Sequence, residues 1–387
     1  MASIAKRSDG RWRARYRDHN GKETSRHFDR KIDAQHWLDS ITTAVTNGTY
    51  VDPIQSRISV AEWSQKWLST KTNLKATTRR DYESLLEAHI VPRWGDATLA
   101  DVRHEDITTW VAELTERGLS ASRVRAAHVA LSQILKLAIR SGRLARNPAE
   151  YVPLPRVRRA DKRYLNHDEV DALADACQDH RVTILFLAYT GVRYGEMAAL
   201  RVERLDLLRR RALISESVAE VAGRLVFSAP KTHQTRSVPI PRFLLEDLAQ
   251  LVAGKGPRDL VFTGAKGAPL RLSHFRRAVF LPAVARSGLD GLTPHGLRHT
   301  AASLAIAAGA PVKVVQTMLG HASATMTLDL YGHLYADQLD EVADRMDAAR
   351  AARSKNSGGP AENSADFLRT NGQLILMPRS SETATGQ

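Results

Sequence analysis

The chain has 387 residues, 43% of them hydrophobic and 25% charged, the proportions of a soluble globular protein with room for two or three domains. Its 56 Lys and Arg outnumber 42 Asp and Glu, for a net charge of +14 and a pI near 10.0, so a polyanionic partner is expected, nucleic acid ahead of an anionic membrane surface. The single cysteine, Cys177, excludes internal disulfides and cysteine-built zinc sites, and no apolar run nears the roughly 20 residues of a membrane span. A polar, Arg-rich N-terminus without a signal-peptide apolar region fits a cytoplasmic setting.

Residues 1–55 read as a small domain. Ile4–Arg7 is a candidate strand and Ser8-Asp9-Gly10 a turn. Strict alternation follows: Trp12, Ala14 and Tyr16 share one face, and Arg11, Arg13, Arg15 and Arg17 share the other. His19-Asn20-Gly21-Lys22 signals a hairpin turn, Glu23–Phe28 a third strand, and Lys31–Thr46 a helix with Ala34, Trp37, Leu38, Ile41 and Val45 toward the sheet. The arginine face suits a DNA groove, and a solvated strand face explains it equally well.

Residues 58–150 read as an all-helical unit. Ser59 with Glu62 is a capping box for a helix holding Val60, Trp63 and Trp67. Further helices are expected at Thr77–His89, Arg103–Arg117 and Ala121–Arg140, punctuated by Pro92/Gly95, Gly118 and Gly142. Lys71, Lys75, Arg79, Arg80, Arg123 and Arg125 lie near helix starts, where phosphate contacts are common. Residues 151–163, rich in Pro and Arg, are a linker that suits a path along DNA.

Residues 164–350 read as one larger domain. It opens with helices at Asp168–Gln178 and Val182–Tyr189, and a third starts near Tyr194. Strands are expected at Ala212–Ser215, Arg224–Phe227 and Ser237–Ile240, the last two joined by a polar turn at Pro230–Arg236. Helices follow at about Pro241–Ala253 and Ser273–Ser287. The tail, 351–387, has the Ser, Asn, Gly, Pro and Thr content of a disordered segment, with an apolar island at Leu374–Met377. The fold class is therefore multidomain, mainly α with small β-sheets.

Chemistry-bearing residues gather between Thr293 and Tyr335. His295 and Arg298 are three apart and share a helical face. A second helix, Val312 to Leu319, stops at Gly320 and puts His321 at its exit. Tyr331 follows on a short helix. One guanidinium, several imidazoles and a phenol, with no Asp or Glu before Asp329, suit an anionic phosphodiester better than a carboxylate-held divalent metal. His295 and His299 form a His-x-x-x-His pair, but no third zinc ligand has suitable spacing.

Taken in order, Thr190-Gly191-Val192-Arg193, Pro230-Lys231-Thr232, His295-Gly296-Leu297-Arg298-His299, Leu319-Gly320-His321 and Leu330-Tyr331-Gly332-His333 resemble the motif of the tyrosine recombinase (phage integrase) family. The likeness spans about 160–345 and is greatest to integrases of temperate phages or integrative elements of high-GC actinobacteria. The two upstream domains resemble that family's arm-type and core-type DNA-binding domains in layout. The resemblance implies that Arg193 and Arg298 hold the non-bridging oxygens of a phosphodiester, for which a planar fork of donors is better than a lysine point charge. It implies Tyr331 as nucleophile, His295 in proton transfer, Lys231 as the acid protonating the departing 5′ oxygen, and His321 as a further phosphate hydrogen bond. A 3′-phosphotyrosyl link would conserve the bond energy, so neither ATP, cofactor nor metal is required.

Glu196, His299 and His333 are expected as supports around these groups, with His299 buttressing its helix. An ion pair between Arg193 and Glu196 is the structural alternative for Arg193. Tyr335 is the rival nucleophile, and His233 and Arg236 are read as flanking groups that touch backbone phosphate. The partners implied are double-stranded DNA attachment sites and a self-assembled tetramer working through a Holliday junction. A host DNA-bending protein and an excision factor often accompany such integrases. Strand relaxation like that of type IB topoisomerases, and DNA binding by a dead catalytic core, are the alternatives.

Overall fold

The computed structural model describes residues 2–17, 23–47, 50–51, 55–157, 163–230, 235–264 and 267–356. Three main hydrophobic cores follow one another along the described residues, with a small further cluster of Ala198, Ala199 and Val218. The first lies under an antiparallel sheet of β1 (Ser3–Lys6), β2 (Trp12–Arg17) and β3 (Glu23–Phe28), in that order, covered by α1 (Lys31–Thr46). Alternation along β2 sends Ala14 and Tyr16 into this core against Ala34 and Leu38. The register sets Arg13 opposite Ala5 and His27, and Arg15 opposite Ser3 and Ser25, on the other face. These arginines have neighbours: Arg15 donates to Ser3 Oγ at 2.7 Å, Arg15 and Arg17 both face Glu23, and Arg11 faces Asp29 at 3.2 Å. The hairpin turn expected at His19–Lys22 lies outside the described residues.

The second core is helical, built from α2 (Val60–Ser69), α3 (Ala76–Leu85), α4 (Val91–Trp94), α5 (His104–Glu116) and α6 (Ala121–Arg140). Ser59 and Ser120 cap α2 and α6 by accepting from the backbone N–H of Glu62 and Arg123. Trp63, Trp67 and Trp110 are almost wholly buried. The helix expected to end at His89 instead runs on through a wide π turn, Leu86–Ile90, into α4. Pro92 has no N–H and its ring crowds the carbonyl four residues back, and a wider turn accommodates both.

The third core begins with α7 (His167–Ala176), α8 (Arg181–Thr190) and α9 (Tyr194–Ala198). Next come β4 (Leu205–Asp206), β5 (Arg211–Ile214), β6 (Ser217–Val221), β7 (Arg224–Ser228) and β8 (Arg236–Pro239). The helices α10 (Leu245–Val252), α11 (Leu272–Phe275), α12 (Leu281–Arg286), α13 (Gly296–Ala307), α14 (Val312–Leu319) and α15 (Ala324–Tyr331) complete it, and α16 (Leu339–Asn356) follows with its described side chains exposed. α8 is apolar almost all round and runs through the centre, packed against α7 and α13.

Two expectations change here. Arg224–Phe227 and Ser237–Ile240 do not pair with each other: β7 pairs with β6, and β8 pairs with β5. The strand β6 escapes sequence reading because Ala and Glu interrupt its apolar pattern, while Ala222 and Gly223, at φ 48° and 76°, form the tight turn that pairs it with β7. The tail expected to be disordered from 351 is helical through Asn356, and 357–387 lie outside the described residues.

The helical unit touches the third. Lys75, at the start of α3, points its ammonium at the carbonyls of Ala229 and Pro230, 3.2 Å from each. Among the other expected phosphate contacts, Lys71 sits over the Trp67 ring and near Gln133, Arg79 donates to the Lys71 carbonyl, and Arg123 donates to Ser84 Oγ at 2.8 Å.

Candidate active site

Two helix ends and one guanidinium form the centre of the site. α8 stops where Gly191 takes the left-handed conformation, φ 64°, and α14 stops in the same way at Gly320, φ 65°. A Cβ on Gly191 would come within 2.7 Å of Leu319 Cδ2, so the two ends approach this closely only with glycine there. Arg298, in the first turn of α13, donates Nη1 to the Gly191 carbonyl and Nη2 to the Leu319 carbonyl, at 2.6 Å each. It is 3% exposed. Burial, and then the Arg193 cation, draw it down to about 9. It is still a cation at neutral pH, and an arriving anion would relieve its desolvation.

The turn at Gly191 delivers Arg193 to the start of α9. Its backbone N–H and its Nη1 each meet a Glu196 carboxylate oxygen at 2.9 Å. Glu196 is 1% exposed, whereas the Arg193 side chain keeps 26% of its surface in solvent. Thus the structural ion pair and an accessible guanidinium edge coexist. Arg236, from β8, is buried behind them and donates Nη1 and Nη2 to the same carboxylate at 3.1 and 2.5 Å, and Nε to the Met318 carbonyl. The expectation that Arg236 touches phosphate is therefore corrected, because its donors point inward. Burial alone would raise the Glu196 carboxyl, but hydrogen bonds and charge from Arg236, helped by Arg193, carry it below the usual range.

Tyr331 closes α15 with only 1% of its surface exposed. Its hydroxyl lies 2.7 Å from His299 Nδ1. The His321 ring lies parallel to the phenol at 6.5 Å, and the His295 ring meets His299 edge-on at 5.1 Å. Burial pushes the phenol up to about 12, with Arg298 pulling the other way. Burial and the cations Arg298, Arg193 and Arg236 bring His321 down to about 4, so its ring is neutral at pH 7. Its Nδ1 is 3.0 Å from Thr327 Oγ1. His333 stands farther out, against Tyr164, whose ring also flanks Tyr331. Tyr335 falls in the 3₁₀ segment Gly332–Gln338, and its hydroxyl donates to the Ala310 carbonyl instead of joining the cluster.

Arg193, His295, Arg298, His321 and Tyr331 thus share one place, joined by Glu196 and His299. Lys231 and His233 lie outside the described residues. Among the described residues, no three His, Cys, Asp or Glu side chains are placed to hold a metal ion, and no helix is long and apolar enough to cross a membrane. Arg236 has the same strand phase as buried Val238, and a charge on an inward phase requires a buried partner. His299, expected as a support, follows His295 by one turn and Arg298 by one residue, which brings it to the Tyr331 hydroxyl.

The sequence model described as the phage integrase family matches residues 163–338, that of the phage integrase N-terminal domain 2–47, and that of the phage integrase central domain 60–152. The chain belongs to the phage integrase family of tyrosine recombinases. An integrase of Mycobacterium phage D29 is 27% identical over 339 residues, covering 83% of this chain and 88% of that one. The ICEBs1 integrase of Bacillus subtilis (strain 168) is 28% identical over 296 residues, 72% of this chain and 80% of its own. Among solved structures, the Tn1549 transposon integrase in complex with a circular intermediate DNA superposes with a TM-score of 0.66 at 21% identity, over 75% of this chain and 99% of that one. That likeness speaks for the fold. As a family member the chain is a site-specific recombinase, and the expected multidomain architecture, mainly α with small sheets, is the one observed.

Proposed function

We propose that this integrase breaks and rejoins DNA at two attachment sites through a 3′-phosphotyrosyl intermediate and a Holliday junction, inserting or excising a phage or other mobile element. The observation that carries this is the buried Arg298 between Gly191 and Leu319, with Arg193 and Tyr331 at the same spot although 138 positions separate these last two. Arg193 and Arg298 receive the non-bridging oxygens, whose charge grows in the transition state. Tyr331 attacks phosphorus, His295 assists proton transfer, His321 gives a neutral N–H to the phosphate, and Lys231 protonates the leaving oxygen.

Residues 1–55 serve as the arm-type DNA-binding domain, with Arg11, Arg13, Arg15 and Arg17 toward the groove. Residues 58–150 are the core-type domain, with Lys71, Lys75, Arg79 and Arg123 near the backbone. Residues 164–350 are the catalytic domain. The working assembly is a tetramer on DNA in the host cytoplasm, joined by a DNA-bending protein and an excision factor. Footprinting the purified protein on the DNA flanking its own gene locates the core site. A duplex of that core, nicked so that the released strand diffuses away, then traps a covalent adduct. Normal binding with no adduct on any protected site would overturn the proposal.

A further inference from the structure

The hydrogen bond between His299 and Tyr331 has no place in the division of labour above. We infer that His299 is itself a catalytic residue, the group that takes the proton from the attacking phenol. The inference rests on the nucleophile assignment just made and deepens it.

Geometry is the first argument. The Tyr331 hydroxyl is out of water, and a buried O–H requires an acceptor. His299 Nδ1 stands 2.7 Å away, inside the range from which a base abstracts a proton. The His295 ring meets His299 edge-on, where it assists that transfer. The second argument is position. His299 projects from the first turn of α13, one residue after Arg298, whose guanidinium is fixed at both ends. Base and phosphate-holding cation therefore ride on one rigid element. The third is need. A phenol raised by burial has almost no phenolate at neutral pH, so its proton has to leave during attack.

The step balances as follows. The Tyr331 Oη–H bond breaks and its proton passes to the lone pair of neutral His299 Nδ1. The Oη–P bond forms, the bond from phosphorus to the 5′ oxygen breaks, and that oxygen takes a proton from the general acid. Religation reverses each transfer, and imidazolium at His299 returns the proton to the phenol.

The test uses the full chain and single-turnover adduct formation on the nicked core duplex, with binding to the intact duplex as the check on folding. His299→Asn keeps a hydrogen-bond acceptor near the Nδ1 position but takes no proton. It should bind normally and cleave about 10²–10⁴-fold more slowly. Exchanging Tyr331 for 2,3,5-trifluorotyrosine in that variant should restore most of the rate, because an acidic phenol needs no base. In His299→Ala, imidazole added to the buffer should do the same. Cleavage by His299→Asn at the wild-type rate would overturn the inference, and so would slow cleavage that neither the fluorinated phenol nor imidazole recovers. An adduct formed by Tyr331→Phe would instead overturn the nucleophile assignment, which separates the two failures.

Discussion

Glu196 accepts a two-pronged hydrogen bond from Arg236, and both side chains are almost completely withdrawn from water. Arg193 leans on the same carboxylate from the solvent side. Removing one partner leaves the other charge buried and unmatched. Arg236→Ala should therefore cost about 3–5 kcal/mol in urea unfolding, far more than loss of a surface pair. The acid limb provides a second reading. Because the folded carboxyl is held low, its contribution is complete above the usual carboxylate value near 4.3 and disappears as pH falls through the folded value. A plot of urea midpoint against pH should lose that acid slope in Glu196→Gln.

His321 should behave in the opposite sense. Its ring stays neutral down to about 4 in the folded chain, whereas an unfolded histidine takes a proton near 6.5. The unfolded state then binds more protons between these values, and stability should fall as pH drops from about 6.5 to 4. His321→Asn should flatten this segment. By NMR, the ring should titrate near 4 in the unbound protein and higher once a DNA phosphate partly offsets the surrounding cations.

Gly320→Ala is expected to harm the site through packing. The new Cβ would sit 2.9 Å from Arg236 Cδ, on a backbone at φ 65° that suits glycine. A loss of about 1–3 kcal/mol in thermal or urea unfolding follows. The adduct-forming rate should drop further still, because the Arg236 guanidinium that moves aside is the one holding Glu196.

The two C-terminal tyrosines should separate cleanly. Tyr331→Phe should bind core DNA normally and form no covalent adduct. Tyr335→Phe loses only a 3.3 Å hydrogen bond to Ala310 and should keep its adduct within a few-fold of wild type. Gel mobility under denaturing conditions reads both.

Lys75→Met keeps the aliphatic stem and removes the contacts to Ala229 and Pro230. Faster amide exchange along β7, with no change in the helical unit, is the expected result. Unchanged exchange would show that the contact does not hold the hairpin.

Local signals carried much of this fold from the sequence alone. Ser59 and Gly320 mark helix ends by capping chemistry, and the helices Lys31–Thr46, Ala121–Arg140 and Val312–Leu319 fall where periodicity puts them. What resisted reading depends on distant partners. β6 is defined by its pairing with β7, and the register of β8 by β5. Arg236 looks like surface charge until Glu196, forty positions earlier, is placed against it. His299 looks like a helix support until Tyr331 arrives from thirty-two residues downstream. The motif residues stand out because their types suit phosphate chemistry, but which imidazole faces the phenol shows only once α13 and α15 are brought together.

Arg298 clasps the ends of α8 and α14 with the same side chain that faces the cluster. Substituting it would loosen two walls of the pocket along with the grip on a guest, so a dead variant made there confounds architecture with reactivity. Removing the phenol oxygen leaves both of these helix-end contacts of Arg298 in place. An inert reference protein for DNA-bound imaging is therefore better made by deleting one oxygen at position 331.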